Sequence, residues 1–164
     1  MIQKICSRAL AMCLVLSFGS LGPALGQDMM TLQVTAGSSN AVSTDLSIEN
    51  LDALDQVEFE TSTIWTDGIS TYSGVSLKAL LNHLGITGNT IQMVALNDYA
   101  VAIPFADLND DAPIVATRMD GKLMSVRDKG PYWVVYPYDL DLKYQNETAY
   151  SRSIWQLNRL KVID

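Results

Sequence analysis

The sequence is poor in the residues that most catalytic and metal sites require. Its only two cysteines, Cys6 and Cys13, lie near the N-terminus, and His83 is the only histidine. One histidine without a neighbouring cysteine cannot form a typical zinc or copper site. The chain also shows no nucleophile–histidine–acid arrangement and no glycine-rich phosphate loop. These absences argue against triad hydrolases, P-loop nucleotide binding and zinc or copper centres.

The N-terminal segment has the pattern of a secretory signal peptide. A short basic region and an apolar run precede a small-residue cleavage site at Ala24-Leu25-Gly26. We predict a signal peptide over residues 1–26 and a single domain over 27–164, exported to the periplasm. An alternative lipoprotein signal would end at Cys13, but Met12 is too large for the small residue usual at that position.

The charge balance of the exported chain excludes several partners. Because segment 1–26 holds two of the 11 basic residues and none of the 18 acidic ones, the remainder carries a net charge of −9. This charge argues against binding to nucleic acid or to an anionic membrane surface. No second apolar run is long enough to span a bilayer. Without disulfides, the domain must depend on its hydrophobic core.

Apolar periodicity predicts an α+β domain with many strands and a few short helices. The clearest helix covers Val75–Leu84 and ends at Gly85. Ser47 has the position of an N-cap for a short helix through Leu54. Asp120-Gly121 between two apolar runs predicts a two-residue hairpin. The predicted strands are 31–36, 57–63, 90–96, 100–103, 114–119, 122–126, 132–136 and 157–163, and a short helix is predicted from Pro104 through Leu108.

Four stretches carry a resemblance to a known family: TSTIWTDGISTYSGVSLKALL, MVALNDYAVAIPFADL, ATRMDGKLMSVRDKGPYWVVYP and YSRSIWQLNRLKV. From about Phe59 to Val162, the chain resembles the molybdopterin-binding domain of sulfite-oxidase-like oxidoreductases. The pieces Tyr72–Leu81 and Asp120–Pro131 are the most specific. The resemblance implies a mixed-sheet single domain with a few short helices, built around a pterin-containing cofactor.

This chain departs from the enzymes of that family at the metal ligand. The catalytic members bind molybdenum through a cysteine thiolate ahead of the segment that matches Tyr72–Leu81. Here the corresponding region offers Thr61, Ser62 and Thr63, and hydroxyls are much poorer ligands than a soft thiolate. The missing thiolate argues against molybdenum and against an enzyme.

The chain resembles a small, cysteine-less periplasmic subgroup of this family more than it resembles the catalytic members. That subgroup binds plain reduced pterins, such as tetrahydropterins, and regulates the periplasmic domain of inner-membrane proteins that make or degrade cyclic di-GMP. The resemblance thus implies a ligand sensor in cyclic di-GMP and biofilm regulation. The alternative is a small periplasmic molybdopterin-dependent oxidoreductase, or a subunit of one.

A pterin is a flat, polar bicycle that requires particular neighbours. It needs aromatic side chains on its faces, a carboxylate at its N2 and N3 edge and donors for its O4 atom. Arg152 and Trp155 are three residues apart, so on a helical turn they would face the same side. The candidate ligand-binding residues are Trp65, Asp67, Asp98, Tyr99, Arg127, Arg152 and Trp155.

Most of these candidates also have a purely structural interpretation. Trp65 either faces a pocket or caps the sheet, and Trp155 either faces a pocket or packs in the core. Asp67 and Asp98 either bind the pterin or stabilise a turn. Arg127 either binds the carbonyl O4 or is a solvated surface charge.

Overall fold

A computed structural model describes residues 30–37 and 42–163 of the chain. The predicted signal peptide lies outside the described residues. The described part contains ten strands and three α-helices. The strands are β1 Leu32–Ala36, β2 Val42–Leu46, β3 Val57–Ser62, β4 Ile69–Ser76, β5 Thr90–Ala95, β6 Ala100–Pro104, β7 Ile114–Met119, β8 Lys122–Leu123, β9 Trp133–Val135 and β10 Leu157–Ile163, and the helices are α1 Ile48–Asp52, α2 Leu77–His83 and α3 Glu147–Arg152.

The first sheet has the strand order β2-β1-β10-β5-β6. Strands β1 and β10 are parallel and the other pairs are antiparallel, so the sheet is mixed. The final strand has the predicted bounds. The Tyr132 hydroxyl donates to the carbonyl oxygens of Met30 at 2.7 Å and Leu46 at 3.3 Å. These hydrogen bonds tie the N-terminal edge of the sheet to the segment that precedes β9.

The second sheet has the order β3-β4-β7-β8, with β9 paired to β7. The predicted hairpin at Asp120-Gly121 is confirmed, because these two residues join β7 to β8 with φ values of 52° and 72°. Strand β8 is shorter than predicted. A 3-10 turn at Val126–Asp128 follows it and ends the extended backbone.

One hydrophobic core takes side chains from both sheets and all three helices. Trp133 is fully buried in it. Ser47 caps α1 through a capping box with Asn50, as predicted for this serine. Within the ranges that the structure describes, no helix is long and apolar enough to cross a membrane.

The start of α2 differs from its prediction. The sequence pattern placed the first turn at Val75, whereas Ser76 caps the helix and Leu77 begins it. Val75 belongs instead to β4, a strand that the sequence did not indicate. Ser70 is buried on the core face of β4, so the inward positions of this strand are not all apolar and the alternation is hidden.

Gly74 is the tightest position of this β4 segment, and replacing it tests the packing of the second sheet. A Cβ atom at Gly74 would lie 2.1 Å from the backbone oxygen of Val115 on β7. Because backbone cannot move aside as a flexible side chain can, we expect Gly74→Ala to lower the free energy of unfolding by about 2 kcal/mol. Urea denaturation of Ser73→Ala, one residue away, is the matched control. Equal midpoints for the two variants would contradict this close packing.

Candidate functional site

A cavity of about 860 Å³ opens where three parts of the chain meet. These parts are the loop after β3, the turn between β5 and β6, and segment 145–155, which contains α3. Apolar and aromatic side chains dominate the wall, with amides, hydroxyls and one carboxylate among them. The lining residues are Ile64, Trp65, Ala95, Asn97, Tyr99, Gln145, Asn146, Glu147, Tyr150, Ser151, Ser153, Ile154 and Trp155. We call this space the first cavity.

Trp65 is at the centre of the aromatic wall. Its ring makes edge-to-face contacts with Trp133, Tyr150 and Trp155, at centroid distances of 6.1, 6.1 and 5.7 Å. Trp133 is buried behind it and in turn contacts the Tyr72 ring at 5.4 Å. Such contacts favour fixed ring positions. Trp65, Tyr150 and Trp155 therefore form one continuous aromatic side of the cavity.

The loop that carries Trp65 is shaped by its own hydroxyl groups. Thr63 Oγ1 accepts a hydrogen bond from the Trp65 backbone N–H at 3.1 Å and shares another with Thr66 Oγ1 at 2.8 Å. This side chain to backbone pattern turns the chain directly after β3. Trp65 is half-buried, while Ile64 beside it is 65% exposed at the rim of the first cavity.

The hydroxyls that replace the expected metal ligand make structural hydrogen bonds. Thr61 Oγ1 accepts from the Asp139 backbone N–H at 3.1 Å and donates to the Ser62 carbonyl oxygen at 3.2 Å. Ser62 Oγ donates to Asp139 Oδ1 at 3.0 Å. None of residues 61–63 lines the first cavity. In the described ranges, moreover, no group of three or more His, Cys, Asp or Glu side chains is placed to hold a metal ion.

The basic residues also do not suit a cofactor with a phosphate tail. No Lys or Arg side chain is among those that line the first cavity. Arg118 pairs with Asp52, through N–O distances of 2.6 and 2.7 Å, and Arg152 pairs with Asp107 at 2.9 Å. With neither a thiolate nor a basic cluster at this cavity, the residues present do not fit molybdopterin with its metal.

Asp139 fixes the end of β3, and its loss should weaken the fold in a pH-dependent way. Hydrogen bonds from the Ser62 backbone N–H and hydroxyl hold the pKa of the Asp139 carboxyl below its usual value of 3.8. A carboxyl whose pKa is lower in the folded state than in the unfolded state stabilises the fold at pH values above its unfolded-state pKa. This stabilisation is lost as the pH falls through its folded-state pKa. We expect Asp139→Asn to lower the free energy of unfolding at pH 7 by no more than about 0.5 kcal/mol, because solvent screens this exposed charge and the amide keeps one acceptor oxygen.

The test of Asp139 is urea denaturation from pH 7 down to pH values below 3.8. The difference between wild type and Asp139→Asn should shrink over the acid end of that range. Asp67→Asn is the control, because Asp67 is an exposed carboxylate of the following loop. A difference that is independent of pH would contradict the role given to the Asp139 charge.

Of the two predicted site residues at the β5–β6 turn, one lines the first cavity and the other does not. Tyr99 lines the first cavity and its ring is 56% exposed. Asp98 has a φ of 64° and forms a hydrogen-bonded ion pair with Arg159, so it acts as the turn residue that the sequence allowed. Asn97 lines the cavity, and its side-chain oxygen accepts from the Tyr99 N–H at 3.1 Å.

Two other candidates lie away from the first cavity. Asp67 and Arg127 are exposed and do not line it. Trp65, Tyr99 and Trp155 are therefore the predicted site residues that the structure brings together. Asp67, Asp98, Arg127 and Arg152 are not among the residues that line this cavity.

The prediction that Arg152 and Trp155 share one face is wrong. Helix α3 ends at Arg152, and Ser153 leaves the helical conformation with φ −83° and ψ 61°. Arg152 lines a different, smaller cavity on the other side of α3, whereas Trp155 lines the first cavity. The three-residue spacing would place them together only if the helix continued past Ser153.

The carboxylate of the cavity is Glu147, which the sequence reasoning missed. It occupies the first turn of α3, and Asn146 caps that helix by accepting from the Ala149 N–H at 3.0 Å. No hydrogen bond or ion pair of the Glu147 carboxylate occurs within the described part of the chain. An Asn N-cap followed by an acid in the first turn is a helix-start signal that would have found it.

Lys129 was not among the predicted ligand-binding residues, but it lies against the aromatic rings beside the first cavity. Its Nζ lies 5.5 Å from the Trp133 ring centroid and 5.1 Å from that of Trp155. The residue has a left-handed φ of 72° at the end of a 3-10 turn. Its cation therefore contacts the aromatic cluster without lining the first cavity.

Comparisons with known proteins relate the chain to a solved structure. Its fold matches the sulfane dehydrogenase SoxCD from Paracoccus pantotrophus with a TM-score of 0.60 at 15% sequence identity. The match covers 83% of this chain but only 39% of the SoxCD chain. No protein-family sequence profile matches the chain, and no curated protein is detectably similar to it in sequence.

This match confirms the predicted α+β fold, a mixed-sheet domain with short helices that is shared with that dehydrogenase. At this level of identity the likeness shows the fold alone. The chain spans 39% of the matched chain, so the activity of that whole enzyme is not carried over. The cysteine-less pterin-binding subgroup stays a prediction.

Proposed function

We propose that this protein binds a reduced pterin, such as a tetrahydropterin, in the first cavity. The observation that carries the proposal is the combination of an aromatic wall and a single carboxylate, Glu147, in one cavity. Its volume of about 860 Å³ is in the range of small-molecule sites.

The wall offers what each part of a pterin requires. Trp65 and Trp155 present apolar ring surface to a flat bicycle. Glu147 is suited to accept hydrogen bonds from the 2-amino group and N3, which together resemble a guanidine edge. The Tyr99 hydroxyl and the Asn97 amide can donate to the O4 atom. Hydrogen bonds to a carboxylate inside a partly apolar cavity are the strongest of these contacts.

The signalling role rests on the family resemblance and on the signal-peptide pattern. In this proposal, the protein is periplasmic and docks on the periplasmic domain of an inner-membrane cyclic di-GMP synthase or phosphodiesterase. Ligand occupancy would regulate that partner if the pterin binds more tightly to one of two docking states. The partner therefore has to recognise a surface that changes with occupancy.

The second candidate is a small molybdopterin-dependent oxidoreductase or a subunit of one. It is favoured by the fold that the chain shares with sulfane dehydrogenase SoxCD. The hydrogen-bonded hydroxyls at residues 61–63 and the absence of basic side chains from the cavity wall argue against it. Metal analysis of the native protein separates the two candidates.

A direct titration tests the binding proposal. Tetrahydrobiopterin, kept anaerobic, should quench the tryptophan fluorescence of the purified protein in a saturable manner, since two of the three tryptophans line the first cavity. Adenine at the same concentrations is the control, because it is flat but lacks the 2-amino and N3 donor edge. Equal binding of the two compounds, or none of either, would contradict the proposal.

A further inference from the structure

A second cavity, of about 310 Å³, lies on the opposite side of α3. Residues three or four apart lie on the same side of a helix, so each cavity is lined by a different side of α3. Glu147, Tyr150 and Ser151 line the first one, while Thr148 and Arg152 line the second. The N-cap residue before the helix, Asn146, borders both. The second cavity is therefore a separate space that adjoins the first around the start of α3.

Tyr136 lines the second cavity with a hydroxyl that lacks a partner. The residue is only 5% exposed, and among the described residues its hydroxyl makes no hydrogen bond. Burial raises its pKa to about 12, against the opposing effect of the nearby Arg152 guanidinium. The hydroxyl is thus protonated at neutral pH and able to donate. An unsatisfied buried hydroxyl is costly, so one beside a cavity points to a group that enters it.

Arg152 supplies a second set of donors to the same cavity. Its side chain is only 18% exposed, and Nη2 lies 2.9 Å from Asp107 Oδ2. A guanidinium has five N–H donors, and Asp107 is its only ion-pair partner among the described residues. Arg152 and Tyr136 are both available donors at one cavity wall. An acceptor placed between them would satisfy both at once.

From these contacts we infer that the second cavity binds a carboxylate, held by Arg152 and the Tyr136 hydroxyl. Arg recognises carboxylates through paired N–H donors. Asp107 and Lys143 also line the cavity, and a carboxylate group, which brings one negative charge, is repelled less by Asp107 than a doubly charged phosphate group. Two sources share this chemistry: a free small carboxylate, or an acidic tail on a ligand seated in the first cavity. Only the second source rests on the pterin proposal.

The test titrates the purified protein with glutarate and follows backbone amide signals by NMR at constant ionic strength. Glutaramide, which has the same shape without charge, is the ligand control. The variants are Arg152→Gln and Tyr136→Phe, the second of which removes only a hydroxyl. Arg118→Gln is the matched control, since Arg118 also pairs with an aspartate, Asp52, and lies outside the second cavity.

Glutarate should bind wild type and Arg118→Gln with the same affinity. It should bind Arg152→Gln at least about tenfold more weakly than wild type. For Tyr136→Phe, which keeps the ring, we expect a loss of about threefold to tenfold. A second arm compares pterin with pteroylglutamate. If the tail is the source, free glutarate does not bind, and pteroylglutamate binds more tightly than pterin in wild type but not in Arg152→Gln.

Either of these two patterns supports the carboxylate site. The inference is overturned if glutarate gives no saturable change and the acidic tail gives no advantage that depends on Arg152. It is also overturned if both variants bind glutarate as wild type does. Failure of pterin binding alone leaves the glutarate arm intact, so the two proposals fail separately.

Discussion

If a pterin binds in the first cavity as proposed, replacing Trp155 with alanine should lower the affinity for tetrahydrobiopterin by about 100-fold, because one face of the bicycle would lose its stacking partner. Trp155 is the best single probe of the first cavity. It lines the wall, is 38% exposed and lies in the segment after α3, outside the regular elements. Replacing Trp65 would disturb packing as well as binding, since its ring contacts the rings of Trp133, Tyr150 and Trp155. Titration by tryptophan fluorescence or calorimetry measures the change.

Two further variants show whether the ring itself is responsible. Trp155→Phe keeps an aromatic face and should stay within about threefold of wild type. Leu142→Ala removes an apolar side chain that is 79% exposed and lies outside the first cavity, so it should change nothing. Trp155→Ala also loses the contact with Lys129, which keeps its contact with Trp133. Wild-type affinity in Trp155→Ala would contradict the assignment of the site.

Replacing Glu147 with glutamine should weaken pterin binding by about 10- to 100-fold, because the proposed charge-assisted pair of hydrogen bonds would be lost. The change also alters ligand preference. Lumazine has an oxygen where pterin has the 2-amino group, so it offers no donor at that position. Wild type should therefore prefer pterin over lumazine, and Glu147→Gln should lose most of that preference.

Asp98→Asn is the matched control for Glu147→Gln. Asp98 is an exposed carboxylate near the same cavity, but it does not line the wall and pairs with Arg159. Both affinity and preference should stay at wild-type values in this variant. If Glu147→Gln keeps the preference for pterin, or if Asp98→Asn removes it, the carboxylate has been assigned to the wrong residue.

Much of the fold could be predicted from local patterns. Strand β10 was found with its full bounds, because buried Leu160 and Val162 alternate with exposed Lys161 and Ile163. The Asp120-Gly121 hairpin was found because few other dipeptides accept two successive left-handed residues. Strand β4 was missed for the opposite reason. It buries the polar residue Ser70 on its core face, so the alternation of buried and exposed residues in β4 does not appear as an alternation of apolar and polar residues in the sequence.

The candidate site divides in the same way. Trp65 and Trp155 could be proposed as ligand-stacking residues because both are large rings beside loops, but the sequence did not separate this role from core packing. The helix-start signal at Asn146-Glu147 could place Glu147 in the first turn of a helix, but not at a cavity, since that helix has only six residues and its segment has no apolar period to orient it. The separation of Arg152 from Trp155 depends on where α3 ends. No spacing rule gives that boundary to within a residue.

The most direct test of the pterin-binding proposal is the content of protein isolated from the cells that naturally produce it. Denaturation and oxidation release any pterin for identification by fluorescence and mass spectrometry, and elemental analysis of the same sample counts molybdenum. If the protein is a pterin sensor, the sample should contain stoichiometric plain pterin with only trace molybdenum. Stoichiometric molybdenum together with molybdopterin-derived pterin would contradict it. The second result would make this chain an enzyme and would require a metal ligand at or near residues 61–63.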